Sequence, residues 1–153
     1  MISIKQISAA QTYPVRKEVL RKNIDLPYKL AGDFNEDTFH LGAFKGEELV
    51  GVVSFMKVSL NSFTINKQYQ LRGMATIAGV RGEGFGEALV KEAISILSNK
   101  KQEIIWCNAR ELAVGFYKKC GFKVMGDVFD IKKVGPHYKM YIKLNNTYEN
   151  DKN

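Results

Sequence analysis

Cysteine is scarce in this chain. Cys107 and Cys120 are the only two among 153 residues. They have neither a C-x-x-C spacing nor a nearby histidine, so a zinc set and a disulfide framework are both excluded. Each stands among apolar residues, and the expectation is buried thiols in a reducing cytoplasm. Histidine is equally sparse, with only His40 and His137, and no metal is expected. No apolar run approaches the length of a membrane-spanning helix, so no membrane association is expected. The opening M-I-S-I-K-Q-I-S lacks the basic-then-apolar layout of a secretory leader. No repeat or low-complexity tract is present. Two familiar phosphate loops are also missing: there is no Gly-Lys-Ser/Thr, and Glu87 stands where a dinucleotide fingerprint needs glycine. Acidic residues are the minority sign, 16 against 23 Lys and Arg, for a net charge of +7. That excess suits nucleic acid or a polyanionic small ligand. The basic residues are scattered rather than gathered in a stripe with aromatics, which makes nucleic acid the poorer fit. Lys100–Lys101, Lys118–Lys119 and Lys132–Lys133 read as solvated faces.

A hydrophobic content of 45% with 25% charged residues is that of an ordinary globule, and the length suits one domain with a core of its own. Its organising stretch is Gln68–Leu97. Tyr69–Ile77 reads as a strand. Leu89, Val90, Ala93, Ile94 and Leu97 recur at helical spacing. Between them lies Arg81-Gly82-Glu83-Gly84-Phe85-Gly86. A strand, a glycine-rich turn and a helix in that order present unsatisfied N–H groups at the positive end of a helix dipole, where phosphate binds.

Elsewhere, strands are expected at Ile2–Ile7, Phe39–Phe44, Leu49–Val58, Ile104–Asn108, Phe122–Val128 and Tyr138–Leu144. Helices are expected from Tyr13-Pro14-Val15 onward and at Ala113–Lys119, the latter closed by Gly121. Asn145–Asn153 is polar and expected to fray. Periodicity alone gives an α/β fold with roughly seven strands and about four helices.

Arg81–Gly86 fits the pattern Gln/Arg-x-x-Gly-x-Gly/Ala, and thereby resembles the coenzyme A pyrophosphate loop of the GCN5-related N-acetyltransferases (GNAT). The likeness extends along the chain, through I-I-W-C-N at Ile104–Asn108 and F-Y-K-K-C-G-F at Phe116–Phe122. The ending Gly135–Met140 resembles a small bacterial subgroup of that family. The resemblance implies a single domain over residues 1–144, with a mixed, mostly antiparallel sheet and a splayed central strand pair that admits pantetheine. It also implies acetyl-CoA as co-substrate and an amine as acceptor. A non-catalytic acyl-CoA-binding domain is the alternative. A homodimer is left open.

The resemblance further assigns residues. Met74, Ala75 and Thr76 belong to the strand edge beside the cofactor, and the Met74 N–H is the candidate oxyanion donor. Arg81, Gly82, Glu83, Gly84, Phe85 and Gly86 form the pyrophosphate loop. Asn108 and Phe116 are candidate cofactor contacts, although Asn108 to Ala113 is two residues longer than the family's usual spacing. Tyr117 is the candidate acid for the departing thiolate. The strand before the loop has Gln68, Gln70 and Arg72 where many relatives carry a glutamate base. His137, after Gly-Pro, is therefore the alternative base, with a structural turn residue as the competing reading. His40, flanked by Phe39 and Leu41, reads as a satisfied core histidine. Arg72 stands alone among uncharged residues and is a candidate for an acidic group on the acceptor. The competing reading pairs it with an acid from Gly32–Asp37.

Overall fold

The computed structural model describes residues 2–144; the polar tail, expected to fray, lies outside them. The strands are β1 (Ile2–Ile7), β2 (Phe39–Lys45), β3 (Glu48–Met56), β4 (Gln68–Thr76), β5 (Ile104–Arg110), β6 (Lys123–Ile131) and β7 (Gly135–Lys143). They form a seven-stranded sheet in the order β1-β2-β3-β4-β5-β7-β6. The helices are α1 (Ala9–Val15), α2 (Phe85–Asn99) and α3 (Val114–Lys119). Three α-helices therefore stand where about four were expected, and short 3-10 turns occupy Ala78–Val80 and Glu111–Ala113. The described chain divides into two compact units, residues 2–56 with 72–92, and 57–71 with 93–144.

In the first unit, β1 pairs antiparallel with β2 from Ile2↔Lys45 to Ile7↔His40, and β2 with β3 from Phe39↔Phe55 to Lys45↔Glu48. Ile7, Val15, Val52 and Ala75 make a buried cluster against which Val19, Leu20, Phe44, Leu49 and Ile77 pack. The first helix begins earlier than Tyr13, because Ser8 and Gln11 form a capping box. The Ser8 hydroxyl accepts from the Gln11 N–H at 3.2 Å, and the Gln11 side chain accepts from the Ser8 N–H at 2.8 Å. Two orphan donors are thereby satisfied at the helix start. Pro14 then lies inside the helix rather than in its first turn. Proline has no N–H to give the ladder, and the chain continues as a π-helical segment, Arg16–Leu20.

In the second unit, β4 and β5 run parallel from Gln68↔Ile104 to Leu71↔Cys107. β5 pairs antiparallel with β7 from Ile104↔Lys143 to Arg110↔His137, and β7 with β6. Ile104, Ile105, Trp106, Cys107, Tyr117, Phe122 and Met140 are buried. Gln68 is fully buried and structural. Its amide accepts from the Leu60 N–H at 2.8 Å and donates to the Leu60 and Ile65 carbonyls at 3.2 and 2.7 Å. It thereby pins the loop before β4, which the Trp106 indole also holds through the Val58 carbonyl at 2.8 Å.

Candidate active site

The glycine loop lies in the first unit, between β4 and α2. Its entry is a 3-10 turn, in which the Val80 N–H bonds the Ile77 carbonyl and the Arg81 N–H the Ala78 carbonyl. The Glu83 N–H bonds the Val80 carbonyl at 3.2 Å. Two of the six N–H groups of Arg81–Gly86 are thus consumed internally. Those of Gly82, Gly84, Phe85 and Gly86 have no backbone acceptor among the described residues. Four free donors at the start of a 15-residue helix make an anion cradle.

Gly82 and Gly84 have φ of +85° and +90°, values that side chains resist. The space over them is open: a Cβ on Gly82 would meet nothing within 4 Å, and one on Gly84 only Ile2 Cδ1 at 3.8 Å. Phe85 is buried, so it offers the loop its N–H and not its ring. The exposed Glu83 carboxylate is paired with Lys45 Nζ at 3.0 Å, which offsets an acid that would otherwise face a bound phosphate. The residues present therefore fit a pyrophosphate.

β4 carries the next candidates. Gly73 has φ +63° within the strand, a left-handed backbone value that side chains resist. A Cβ on Gly73 would lie 3.1 Å from Arg16 Nε. Only a glycine lets the backbone approach that guanidinium. Met74 and Thr76 are half-buried and Ala75 is buried. The Thr76 methyl lies where a side chain on Gly51 would point, at 3.1 Å.

Beside this glycine is a buried polar group that the sequence reading missed. Arg16, 1% exposed, grips the Asp33 carboxylate through both terminal nitrogens at 2.9 Å. It also donates to the Tyr28 carbonyl at 3.0 Å and to Ser54 Oγ at 2.8 Å. Ser54 Oγ lies 2.6 Å from His40 Nδ1, and His40 Nε2 lies 3.0 Å from the Asp33 carbonyl. A carbonyl can only accept, so Nε2 carries the hydrogen and Nδ1 takes the Ser54 hydroxyl proton. Arg16, Ser54, His40 and Asp33 close a ring, the last link running through the Asp33 backbone carbonyl, and His40 in it is neutral. Burial lowers its pKa, with the Arg16 charge in the same direction and Asp33 opposing. Burial would raise the Asp33 carboxyl, but the Arg16 hydrogen bonds, the Leu30 N–H and the Arg16 charge outweigh it and hold the carboxyl below its usual range. The signal for Arg16 was present: Thr12, Val15, Arg16 and Val19 share one helical stripe. Of the three acids in Gly32–Asp37, Asp33 is the one that pairs with Arg16. The ion pair considered for Arg72 does not form. Arg72 is half-buried and has no hydrogen bond or ion pair among the described residues.

The second unit carries Asn108, Phe116, Tyr117 and His137. β5 does not end at Asn108 but continues to Arg110, which accounts for the two extra residues before Ala113. The Asn108 side chain accepts from Lys139 Nζ at 3.1 Å. Tyr117 is buried, its ring 5.1 Å from Phe116 and 5.4 Å from Phe122. Burial, then the neighbouring Cys107 and Cys120, push its phenol up, with Arg110 opposing. Cys107 is itself raised by burial, an unreactive core thiol. Cys120 is partly exposed, so only one of the two cysteines is fully enclosed. His137 is not in a turn. It is buried in β7, opposite Arg110 and Phe129. Its Nδ1 lies 2.8 Å from the Gly135 carbonyl. A carbonyl can only accept, so Nδ1 carries a hydrogen and donates it. Among the described residues no cluster of three metal-ligating side chains exists, and no helix is long and apolar enough to cross a membrane.

Comparison with known proteins bears on the whole chain. Residues 6–144 match the family model of the acetyltransferase (GNAT) domain. The N-acetyltransferase YitI of Bacillus subtilis is 38% identical over 142 residues, 92% of this chain and 95% of that protein. Among solved structures, Escherichia coli ElaA superposes with a TM-score of 0.76 at 18% identity, over 93% of this chain and 99% of that one. A Bacillus subtilis acetyltransferase in complex with CoA superposes with a TM-score of 0.68 at 17% identity, over 94% and 97% of the two chains.

Proposed function

Because the chain belongs to the GNAT family and is an acetyl-CoA-dependent N-acetyltransferase, we propose how its residues divide that work. The acetyltransferase domain is put at residues 1–144. The observation that carries the reading is the set of free N–H groups at Gly82, Gly84, Phe85 and Gly86. They hold the pyrophosphate of acetyl-CoA by charge-assisted hydrogen bonds at the N-terminus of α2. Acetyl-CoA supplies an activated acyl group, and direct attack by the acceptor amine transfers it.

The Met74 N–H stabilises the charge that develops on the thioester oxygen, next to the left-handed backbone of Gly73. Ala75 and Thr76 continue the strand edge along the cofactor, Arg81 and Glu83 flank its phosphates, and the family resemblance adds Asn108 and Phe116 as cofactor contacts. Tyr117 donates to the sulfur as the thiolate departs. Its raised pKa keeps the phenolic proton in place at neutral pH. A thiol lies near 8.5, so full transfer is uphill and the hydroxyl acts chiefly as a hydrogen-bond donor until solvent supplies the proton. His137, whose Nδ1 is engaged by the Gly135 carbonyl, is the candidate base for the amine through Nε2. No carboxylate on β4 can take that role, since its side chains there are Gln68, Gln70 and Arg72. A cytoplasmic location suits the co-substrate and the two free cysteines.

The test is thiol release from acetyl-CoA over a panel of small amines and peptides. Release that depends on the amine, with an acetylated product by mass, supports the assignment. CoA binding with no release from any amine would leave a cofactor-binding domain.

A further inference from the structure

The charges of the first unit do not balance around Arg72. Arg16 and Asp33 neutralise each other. Asp33 Oδ1 accepts from Arg16 Nη2, and Oδ2 accepts from Arg16 Nη1 and the Leu30 N–H at 2.8 Å. The carboxylate therefore faces Arg16 and its own loop. Arg72 stands close enough to feel both charges, repelled by Arg16 and attracted by Asp33, with burial the largest influence on it. Yet it makes no hydrogen bond or ion pair among the described residues. A half-buried guanidinium with no ion pair has lost part of its water without a protein partner in return. Five N–H donors in a planar fork stay available, suited to carboxylate or phosphate.

Position gives this cation a use. Arg72 comes two residues before Met74, the proposed oxyanion donor. Two strand residues span about 7 Å, so an anion at Arg72 and an amine at the thioester belong to one small molecule. Gly73 between them is fixed by its own geometry, with φ +63° and Arg16 Nε 3.1 Å from where a side chain would start. The fork and the donor are therefore held on one rigid piece of backbone.

We infer that the acetyl acceptor is a small amine bearing a carboxylate or phosphate, and that Arg72 is the residue that selects it. This rests on the proposed acetyl transfer at Met74. The experiment compares paired acceptors in the thiol-release assay: the amino acids against their C-terminal amides, and O-phosphoethanolamine against ethanolamine. In the wild type, at least one anionic member should exceed its neutral partner tenfold or more in kcat/KM, mainly through KM. The pair that shows it distinguishes carboxylate from phosphate. In Arg72→Gln that preference should fall to threefold or less while the Kd for CoA, by calorimetry, stays within twofold. Arg72→Lys keeps the charge without the fork and should fall between the two; it decides the matter if the glutamine variant does not fold. Neutral amines acetylated as well as their anionic partners would overturn the inference and leave the transfer reading standing. So would a preference that survives in both variants. A panel silent throughout, with CoA bound, would overturn the transfer reading and the inference together.

Discussion

Replacing Gly84 by valine separates the loop's service to the cofactor from its service to the fold. Gly84 has φ +90°, and a Cβ there would meet only Ile2 Cδ1, at 3.8 Å. No packing clash is introduced, so the stability cost is backbone strain, about 1–3 kcal/mol for a side chain in that region. For a domain of this length that lowers the melting temperature by roughly 2–12 °C. The fold should survive. The valine methyls, however, fill the open space over the free N–H groups. Losing two charge-assisted hydrogen bonds at about 1.5–3 kcal/mol each removes about 3–6 kcal/mol of binding, more than about a hundredfold in Kd. Titration calorimetry with CoA, alongside circular dichroism to verify folding, measures both effects. A control with similar strain is Gly46→Val in the β2–β3 turn, where φ is +64° and nothing lies within 4 Å; it should lose stability and keep CoA. A folded Gly84→Val protein that binds CoA within threefold of wild type would show that the pyrophosphate is held elsewhere.

Tyr117→Phe should keep the Kd for CoA and lower kcat at least tenfold in the thiol-release assay; equal turnover would make the ring mere packing. Asp33→Asn leaves the buried Arg16 guanidinium without its counter-charge and should cost about 3–5 kcal/mol in denaturant unfolding. A loss below about 1 kcal/mol would mean that solvent reaches the pair. The His40 pKa is lowered in the fold from 6.5, so the unfolded chain takes up a proton that the folded chain refuses. Stability should therefore decline as pH falls below 6.5 toward the folded value, and His40→Gln should remove that part of the slope. Asp33, lowered from 3.8, adds a second loss in the same direction, beginning below 3.8. Stability that is flat from pH 7 to 5 in the wild type would contradict the neutral, hydrogen-bonded histidine.

The strands were legible because each one alternates or runs apolar between turn residues. α2 was legible because Leu89, Val90, Ala93 and Leu97, all buried, repeat at one helical face. α1 was misplaced because Pro14 looks like a first-turn residue. The stronger signal was upstream, in Ser8 and Gln11, where a side chain and a backbone group exchange hydrogen bonds three residues apart. The glycine loop between β4 and α2 could be read from its composition. Its consumption of the Arg81 and Glu83 N–H groups could not, since that depends on the 3-10 turn at Ala78–Val80. His137 was read as following a turn because Gly-Pro usually marks one. In fact Lys133, at φ +72°, turns the chain, and Gly135 opens the strand. The Arg16–Asp33 pair joins residues seventeen apart across an irregular loop, and no periodicity connects them. Tertiary folding alone decides which of the two arginines, Arg16 or Arg72, obtains the carboxylate.

Arg16 also has a bearing on how such a protein can change. Its guanidinium reaches from the end of α1 to the carbonyl of Tyr28 and the carboxylate of Asp33, and to Ser54 on β3. The long connection between α1 and β2 is thus tied to the framework at two points along its length. The exposed residues between and beyond those ties, such as Lys22, Asn23, Phe34 and Glu36, hang from fixed posts. Substitutions there change the surface of the connection without loosening the ties that fix its course. A connection held in this way can vary its exposed side chains, by drift or in a library, while the anchored backbone beneath them is inherited intact.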